Sequence, residues 1–129
     1  MRALLIAAML ASGMPAAAQA APKPVSALDR CLASPDGAST MGQIQCIGDA
    51  VAVQDARLNK NYAKAMAQLT REQKDKLRAA QRAWLAFKQA DCVSLQDDDW
   101  GTMSRVTANM CVLDRTTERA DELADYPDR

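Results

Sequence analysis

AQRAWLAFKQADC, residues 80–92, is the stretch that decides the fold of this chain. It contains no glycine or proline, and with its flanks it places apolar residues mostly three or four positions apart, the spacing of one helical face. Thr70 and Gln73 form a capping-box motif in front of it. The pattern predicts a helix over residues 71–96; a single longer helix continuing through Thr70 is the alternative. The apolar stripe consists of Leu77, Ala80, Trp84, Phe87, Cys92 and Leu95.

Similar stripes on either side of this stretch predict helices over residues 41–69 and 103–125. Thr40 with Gln43 is the expected cap of the earlier helix, and Thr102 is the expected cap of the later one. No segment alternates apolar and polar residues with a period of two, the pattern of a half-buried strand. We therefore predict an all-α fold, a small antiparallel three-helix up-down bundle with short connections.

The N-terminal segment, residues 1–20, has the features of a secretory signal peptide. Arg2 supplies a minimal positive charge, an apolar core follows, and Ala-Gln-Ala at residues 18–20 fits a small-x-small cleavage site. The core is too short to span a bilayer, so the mature chain is not expected to insert into a membrane. We expect residues 21–38 to form an extended lead-in and residues 39–129 to form the helical domain.

The charge balance and composition exclude several classes of function. The formal net charge is zero, whereas a nucleic-acid-binding domain usually carries a basic excess or stripe. The chain contains no histidine, which removes the commonest general acid/base and the commonest neutral metal ligand. No glycine-rich loop is present to hold a phosphate. We therefore expect no cofactor, no metal ion and no catalytic residues.

The four cysteines indicate two disulfides, because a small domain in an oxidising compartment commonly depends on them. No Cys-x-x-Cys pair is present to form a redox or zinc site. Helix geometry leaves the pairing open, because Cys92 would lie level with Cys46 across the first connection and with Cys111 across the second. The bundle is thus expected to be stapled twice. The cysteines are Cys31, Cys46, Cys92 and Cys111.

The spacing of Gln81, Trp84, Lys88 and Cys92, together with landmarks on both sides, resembles the N-terminal domain of LprI-type lysozyme inhibitors. That family consists of small secreted helical bacterial proteins, and the resemblance covers residues 31–123. The outer landmarks are Cys31, Cys46, Leu58, Asn59, Tyr62, Cys111, Thr117, Arg119 and Leu123.

The resemblance implies a disulfide pairing of Cys31 with Cys46 and of Cys92 with Cys111. The family usually has arginine where this chain has Lys88. Lysine cannot make the same forked contact with a carboxylate, although it can still form a simple ion pair.

The family-signature residues are expected to serve the fold more than the activity. Trp84 is flanked by apolar helical positions and should fill space between helices, as should Tyr62. Gln81, Lys88 and Arg119 are expected to form a buried polar network with Asn59 or Asp55, which would fix the register of the helices. Direct contact of these side chains with a ligand is the alternative interpretation.

The segment Asp97, Asp98, Asp99 and Trp100 is the candidate partner-binding site. Three adjacent carboxylates beside an indole produce a negative field and an aromatic anchor, which suit docking to a cationic protein surface. The alternative is a solvated connection with Trp100 packed underneath. A calcium site is disfavoured because the acids are contiguous, whereas a calcium loop uses alternating positions.

Taken together, the resemblance implies a periplasmic protein of a Gram-negative bacterium that binds a lysozyme or related muramidase and occludes it without catalysis. Lysozymes are typically basic, which matches the acidic segment. A non-catalytic adaptor or structural module of the cell envelope is the alternative function. We expect a protein partner, no nucleic acid, and a monomer or weak dimer.

Overall fold

A computed structural model describes residues 25–128, which form helices and no strands. The predicted signal peptide and residues 21–24 lie outside the described residues. Four α-helices and two short 3₁₀ turns follow one another within residues 25–128. They are α1 (Ala27–Leu32), a turn at Pro35–Ala38, α2 (Thr40–Ala67), α3 (Arg71–Val93), a turn at Asp98–Trp100 and α4 (Met103–Ala124). No described helix is long and apolar enough to cross a membrane.

Helices α2 and α4 form the closest pair of long helices, because small side chains lie where they meet. Ala65 on α2 and Ala120 on α4 are both fully covered. The amide of Asn61 donates to the carbonyl oxygen of Ala120 at 2.8 Å, and Arg57 pairs with Asp121. Alanine lets two backbones approach closely, so these polar links can span the interface.

Helix α3 also packs against α4 and runs in the opposite direction to it. Near its end, Cys92 is bonded to Cys111, two turns into α4. Nearer its start, Gln81 accepts a hydrogen bond from Arg119, which lies two turns further along α4. A residue later in α4 therefore has its partner earlier in α3, so the two helices are antiparallel. The first disulfide of the chain joins Cys31 to Cys46, and Cys92–Cys111 is the second, so both pairs are those that the family resemblance implied.

The main core lies at the end of the molecule where α2 turns into α3. Its buried members come from α2, α3, α4 and the turn, and half-buried aromatic side chains close it. The buried set is Leu58, Ala65, Leu69, Leu77, Ala120 and Leu123, with Tyr62, Met66, Trp84 and Tyr126 packed against it.

The apolar stripe predicted for α3 is wider than the face that is buried. Leu77 and Cys92 are buried and Trp84 is half-buried, but Phe87 and Ala80 are exposed. The reason is that α3 packs closely against α4 and is separated from part of α2 by a groove, so a narrow strip of its surface is covered. Periodicity identified the helix but could not give the number of its neighbours.

The prediction of an extended lead-in over residues 21–38 is wrong for most of its described part. Ser26 and Asp29 form a capping box that starts α1, a signal missed in a segment rich in proline. The following turn lies directly against α2 at Gly42. A Cβ at this glycine would stand 1.6 Å from the carbonyl oxygen of Asp36, so only glycine permits the approach. The Cys31–Cys46 disulfide ties the same segment to α2.

The helix ends also differ from the predicted ones in places. The capping box of Thr70 and Gln73 is confirmed. Ser39, not Thr40, caps α2, because its hydroxyl accepts from the Gly42 amide at 3.0 Å. Helix α3 ends at Val93 rather than at residue 96, since the amides of Leu95 and Gln96 donate to carbonyls three residues back. Thr102 makes no side-chain cap on α4.

Asp29 offers a test of the α1 cap. The Ser26 hydroxyl and backbone amide both donate to its carboxylate, and they lower its pKa below the ordinary value of 3.8. The ionised cap therefore stabilises α1 fully above the ordinary pKa and is lost as the pH falls through the lowered one. We expect an NMR titration to show this lowered pKa and a return toward 3.8 in Ser26→Ala. A pKa at or above 3.8 in the unsubstituted protein would contradict the assignment.

Two leucines on α3 test which face is buried. Leu77 is 2% exposed and Leu85 is 48% exposed. Leu77→Ala should lower the free energy of unfolding by about 2–5 kcal/mol, because it removes core packing and leaves a cavity. Leu85→Ala should change it by less than about 1 kcal/mol. Urea unfolding of the oxidised protein measures both, and equal losses would show that α3 is seated differently.

Candidate partner-binding site

Asp97, Asp98, Asp99 and Trp100 form a structured turn, named here the acidic turn. Its backbone is held by Ser104 in the first turn of α4, whose buried hydroxyl lies 2.8 Å from the carbonyl oxygens of Asp97 and Gly101 and can donate to either. The Asp97 amide donates back to this hydroxyl at 3.3 Å. Gly101 closes the turn with a φ of 73°, a conformation that favours glycine.

The carboxylates of the acidic turn project into solvent. The side chain of Asp98 is 94% exposed and has only a long contact of 3.6 Å with Arg105. Asp97 accepts from the Asp99 amide at 2.8 Å, which caps the 3₁₀ turn and leaves the Asp99 carboxylate exposed. The turn therefore concentrates negative charge in the connection between α3 and α4.

Trp100 is exposed over 63% of its surface, so the interpretation that it packs beneath the connection is wrong. Two more apolar side chains are exposed at the helix ends on either side of the acidic turn. They are Val93, the last residue of α3, and Met103, the first residue of α4. An open groove of about 470 Å³ lies between Val93 and the three carboxylates. Apolar anchors next to concentrated charge are the composition expected of a protein-binding surface.

Four of the family-signature residues lie elsewhere, in a cluster between α3 and α4, and these are Gln81, Trp84, Lys88 and Arg119. The buried guanidinium of Arg119 donates to Gln81 at 3.0 Å and to Glu122 at 2.6 Å. It also lies 5.9 Å from the centre of the Trp84 ring, and the Lys88 ammonium lies 4.7 Å from that centre. The cluster joins hydrogen bonds with cation–π contacts, so it fixes how α3 sits on α4.

The predicted network takes a different form from the one expected. Asn59 donates to Asp55 one turn earlier on α2, and neither residue bonds to Gln81. Tyr62 packs against the core, as proposed for it. About twelve residues of α3 separate Gln81 from Val93, or roughly 18 Å along the helix. The signature cluster and the acidic turn are therefore two separate places on the molecule.

One ionic cluster near the second disulfide was missed by the sequence analysis. Arg115 donates to Asp91 at 2.9 Å and to Glu118 at 3.1 Å, and its guanidinium lies 5.5 Å from the Phe87 ring centre. The hydrogen bond to Asp91 contributes most to raising the pKa of Arg115 above its usual value. The spacing of Arg115 and Glu118 on one helix face was visible, but its link to α3 was not.

The only grouping with metal-ligand character among residues 25–128 is Asp91 with Cys92 and Cys111. Both sulfurs are taken up by the disulfide, so no thiolate is available to bind an ion. The group therefore does not fit a metal site. Its role is structural, because the disulfide and the ion pair of Asp91 with Arg115 both link α3 to α4.

Residues 31–123 match the family model described as lysozyme inhibitor LprI. The chain belongs to the LprI family. The match runs from the first cysteine to the last core leucine of α4, so it includes both disulfides, the signature cluster and the acidic turn of this LprI protein. No curated protein and no solved structure matches the chain.

Ser104 provides a test of how the acidic turn of the LprI chain is held. Ser104→Ala removes the acceptor of the Asp97 amide and the donor to two carbonyls, so it should cost about 1–3 kcal/mol of unfolding free energy. Thr107→Ala is a matched control, since that hydroxyl bonds only within its own exposed helix face. It should change stability by about 0.5 kcal/mol or less. Similar losses in the two variants would show that Ser104 does not anchor the turn.

Proposed function

We infer that this LprI protein binds a lysozyme or related muramidase and blocks its active-site cleft by occlusion, without catalysis of its own. Family membership supports the class of activity, and the two disulfides support an extracellular or periplasmic location. We place it in the periplasm of a Gram-negative bacterium, with residues 1–20 acting as the signal peptide.

The observation that carries the proposal is the exposure of the acidic turn on a fixed backbone. Three carboxylates attract a basic enzyme over a distance comparable to the Debye length, about 10 Å at 0.1 M salt. Trp100 supplies an apolar ring that can enter a cleft and exclude water there. Because Ser104 already holds the turn, little conformational entropy is lost on binding.

The rest of the molecule serves as a scaffold in this proposal. In it, the three long helices form an up-down-up bundle. The Cys92–Cys111 disulfide and the Arg115 cluster both link α3 to α4 and so support the acidic turn that connects them. The signature cluster around Arg119 keeps α3 and α4 in register. None of these groups needs to touch the muramidase, so changes in them should act through stability.

The test is a peptidoglycan-hydrolysis assay with a basic muramidase, to which the oxidised protein is added in increasing amounts. The test variant reverses the charge of Asp97, Asp98 and Asp99 to lysine. Its matched control reverses three exposed acids elsewhere, Asp49, Asp114 and Asp125. We expect saturable inhibition by the unsubstituted protein and by the control, and at least a tenfold loss of affinity in the test variant, about 1.4 kcal/mol.

Two further measurements sharpen the assay. Trp100→Ala should weaken inhibition while leaving the free energy of unfolding almost unchanged, because the ring is exposed. Raising the salt concentration should slow association, since the attraction is screened. Inhibition that survives charge reversal would move the binding site to the helix faces. No inhibition of several muramidase types would favour the envelope adaptor instead.

A further inference from the structure

One flank of α3 carries a graded surface that the proposed inhibition does not use. Successive residues on it are three or four positions apart, so they share one side of the helix. The flank opens into three grooves that follow one another along the helix, two of them sharing Val93 and Gln96. We name this surface the α3 flank. It consists of Arg78, Arg82, Leu85, Gln89, Val93 and Gln96.

The α3 flank changes character along its length. Its first part is basic on balance, because Arg78 and Arg82 line the groove between α2 and α3 together with the single acid Asp55. Arg78 is paired with Asp75 on its own helix at 2.7 Å. Arg82 takes part in no ion pair among residues 25–128. Its middle is apolar, with Leu85 and Val93 exposed by about half. It then ends at the carboxylates of the acidic turn.

The charge along this part of the chain is divided in the same way. Residues 71–82 carry five basic and two acidic side chains, whereas residues 83–100 carry one basic and four acidic ones. A uniformly basic partner would meet repulsion at the first part, and a uniformly acidic partner would meet it at the second. A partner that matches the whole flank must carry an acidic part opposite Arg78 and Arg82 and a basic part opposite the acidic turn.

A second copy of this chain meets that requirement by symmetry. If two copies lie antiparallel with a twofold axis level with Gln89, Leu85 of one copy faces Val93 of the other. The acidic turn of each copy then lies level with Arg78 and Arg82 of its partner copy. A self-complementary patch is what an isologous dimer needs. The formal net charge is zero for the whole chain and −1 without residues 1–20, which contain Arg2, so two copies repel each other little at long range.

We propose that the α3 flank is the interface of an antiparallel homodimer, held by the acidic turn of each copy against the arginines of the other. The flank is about 22 Å long between Arg78 and Val93 and about one helix wide. A contact of this size is at the small end of protein interfaces, so the dimer is weak and sensitive to salt. It covers the acidic turn, so the monomer is the form that binds a muramidase if the proposed function holds.

Sedimentation equilibrium of the oxidised full chain tests the dimer at about 1 μM to 1 mM protein. The average mass should rise toward twice the monomer mass at low salt and fall back at about 1 M salt. Arg82→Glu and Asp98→Arg should each weaken association at least tenfold. The double variant should restore it to within about threefold, because the exchanged charges at positions 82 and 98 again attract each other across the interface.

Lys60→Glu is the control, since it makes the same charge change as Arg82→Glu at an exposed position on α2. It should leave association unchanged, and circular dichroism should show that all variants keep their helices. A monomer at every concentration overturns the proposal. So does a dimer that either single reversal leaves intact, or a double variant that stays dissociated.

The two proposals can fail separately in these variants. Arg82→Glu removes a contact of the dimer but leaves the acidic turn unaltered. It should therefore inhibit a muramidase at least as well as the unsubstituted protein. Loss of dimerisation with retained inhibition supports both proposals, whereas a dimer that behaves as described but never inhibits a muramidase overturns the proposed function alone.

Discussion

The buried guanidinium of Arg119 is the constraint on which the arrangement of α3 depends. A charge removed from water is tolerated only where hydrogen bonds and opposite charge replace its hydration. Gln81 and Glu122 provide these bonds, and the Trp84 ring lies close to the cation. Because Gln81 and Trp84 are on α3 and Arg119 is on α4, satisfying this one charge sets the distance and register between the two helices.

The long side chains of this cluster also explain the uneven packing of the molecule. Helices α2 and α4 meet through alanines and lie close together, whereas α3 is held to α4 by an arginine, a glutamine and a tryptophan. Grooves lie along α3 on both sides of this cluster. The family signature thus accounts for how α3 is held to α4, while the candidate binding surfaces consist of residues outside it.

The positions of the helices could be predicted from the sequence better than the burial of the side chains on them. The capping box at Thr70 marks the turn between α2 and α3 because its chemistry is local. The exposure of Phe87 and Trp100 could not be predicted from local sequence, since it depends on which helices pack against each other. The pairing of the cysteines followed from family resemblance, because helix geometry alone allowed Cys92 two partners. The acidic turn was found by composition, but its anchor at Ser104 is a tertiary contact.

In the acidic turn, the residues that hold the backbone are not the residues that are exposed, and this has an evolutionary consequence. Its backbone is held by Ser104, Gly101 and the nearby Cys92–Cys111 disulfide, none of which contributes to the exposed charge. The side chains of Asp98, Asp99 and Trp100 can therefore be exchanged at little cost to folding. Within one scaffold, such a turn can diversify as the surface of its target changes, much as an antibody loop varies on a constant framework.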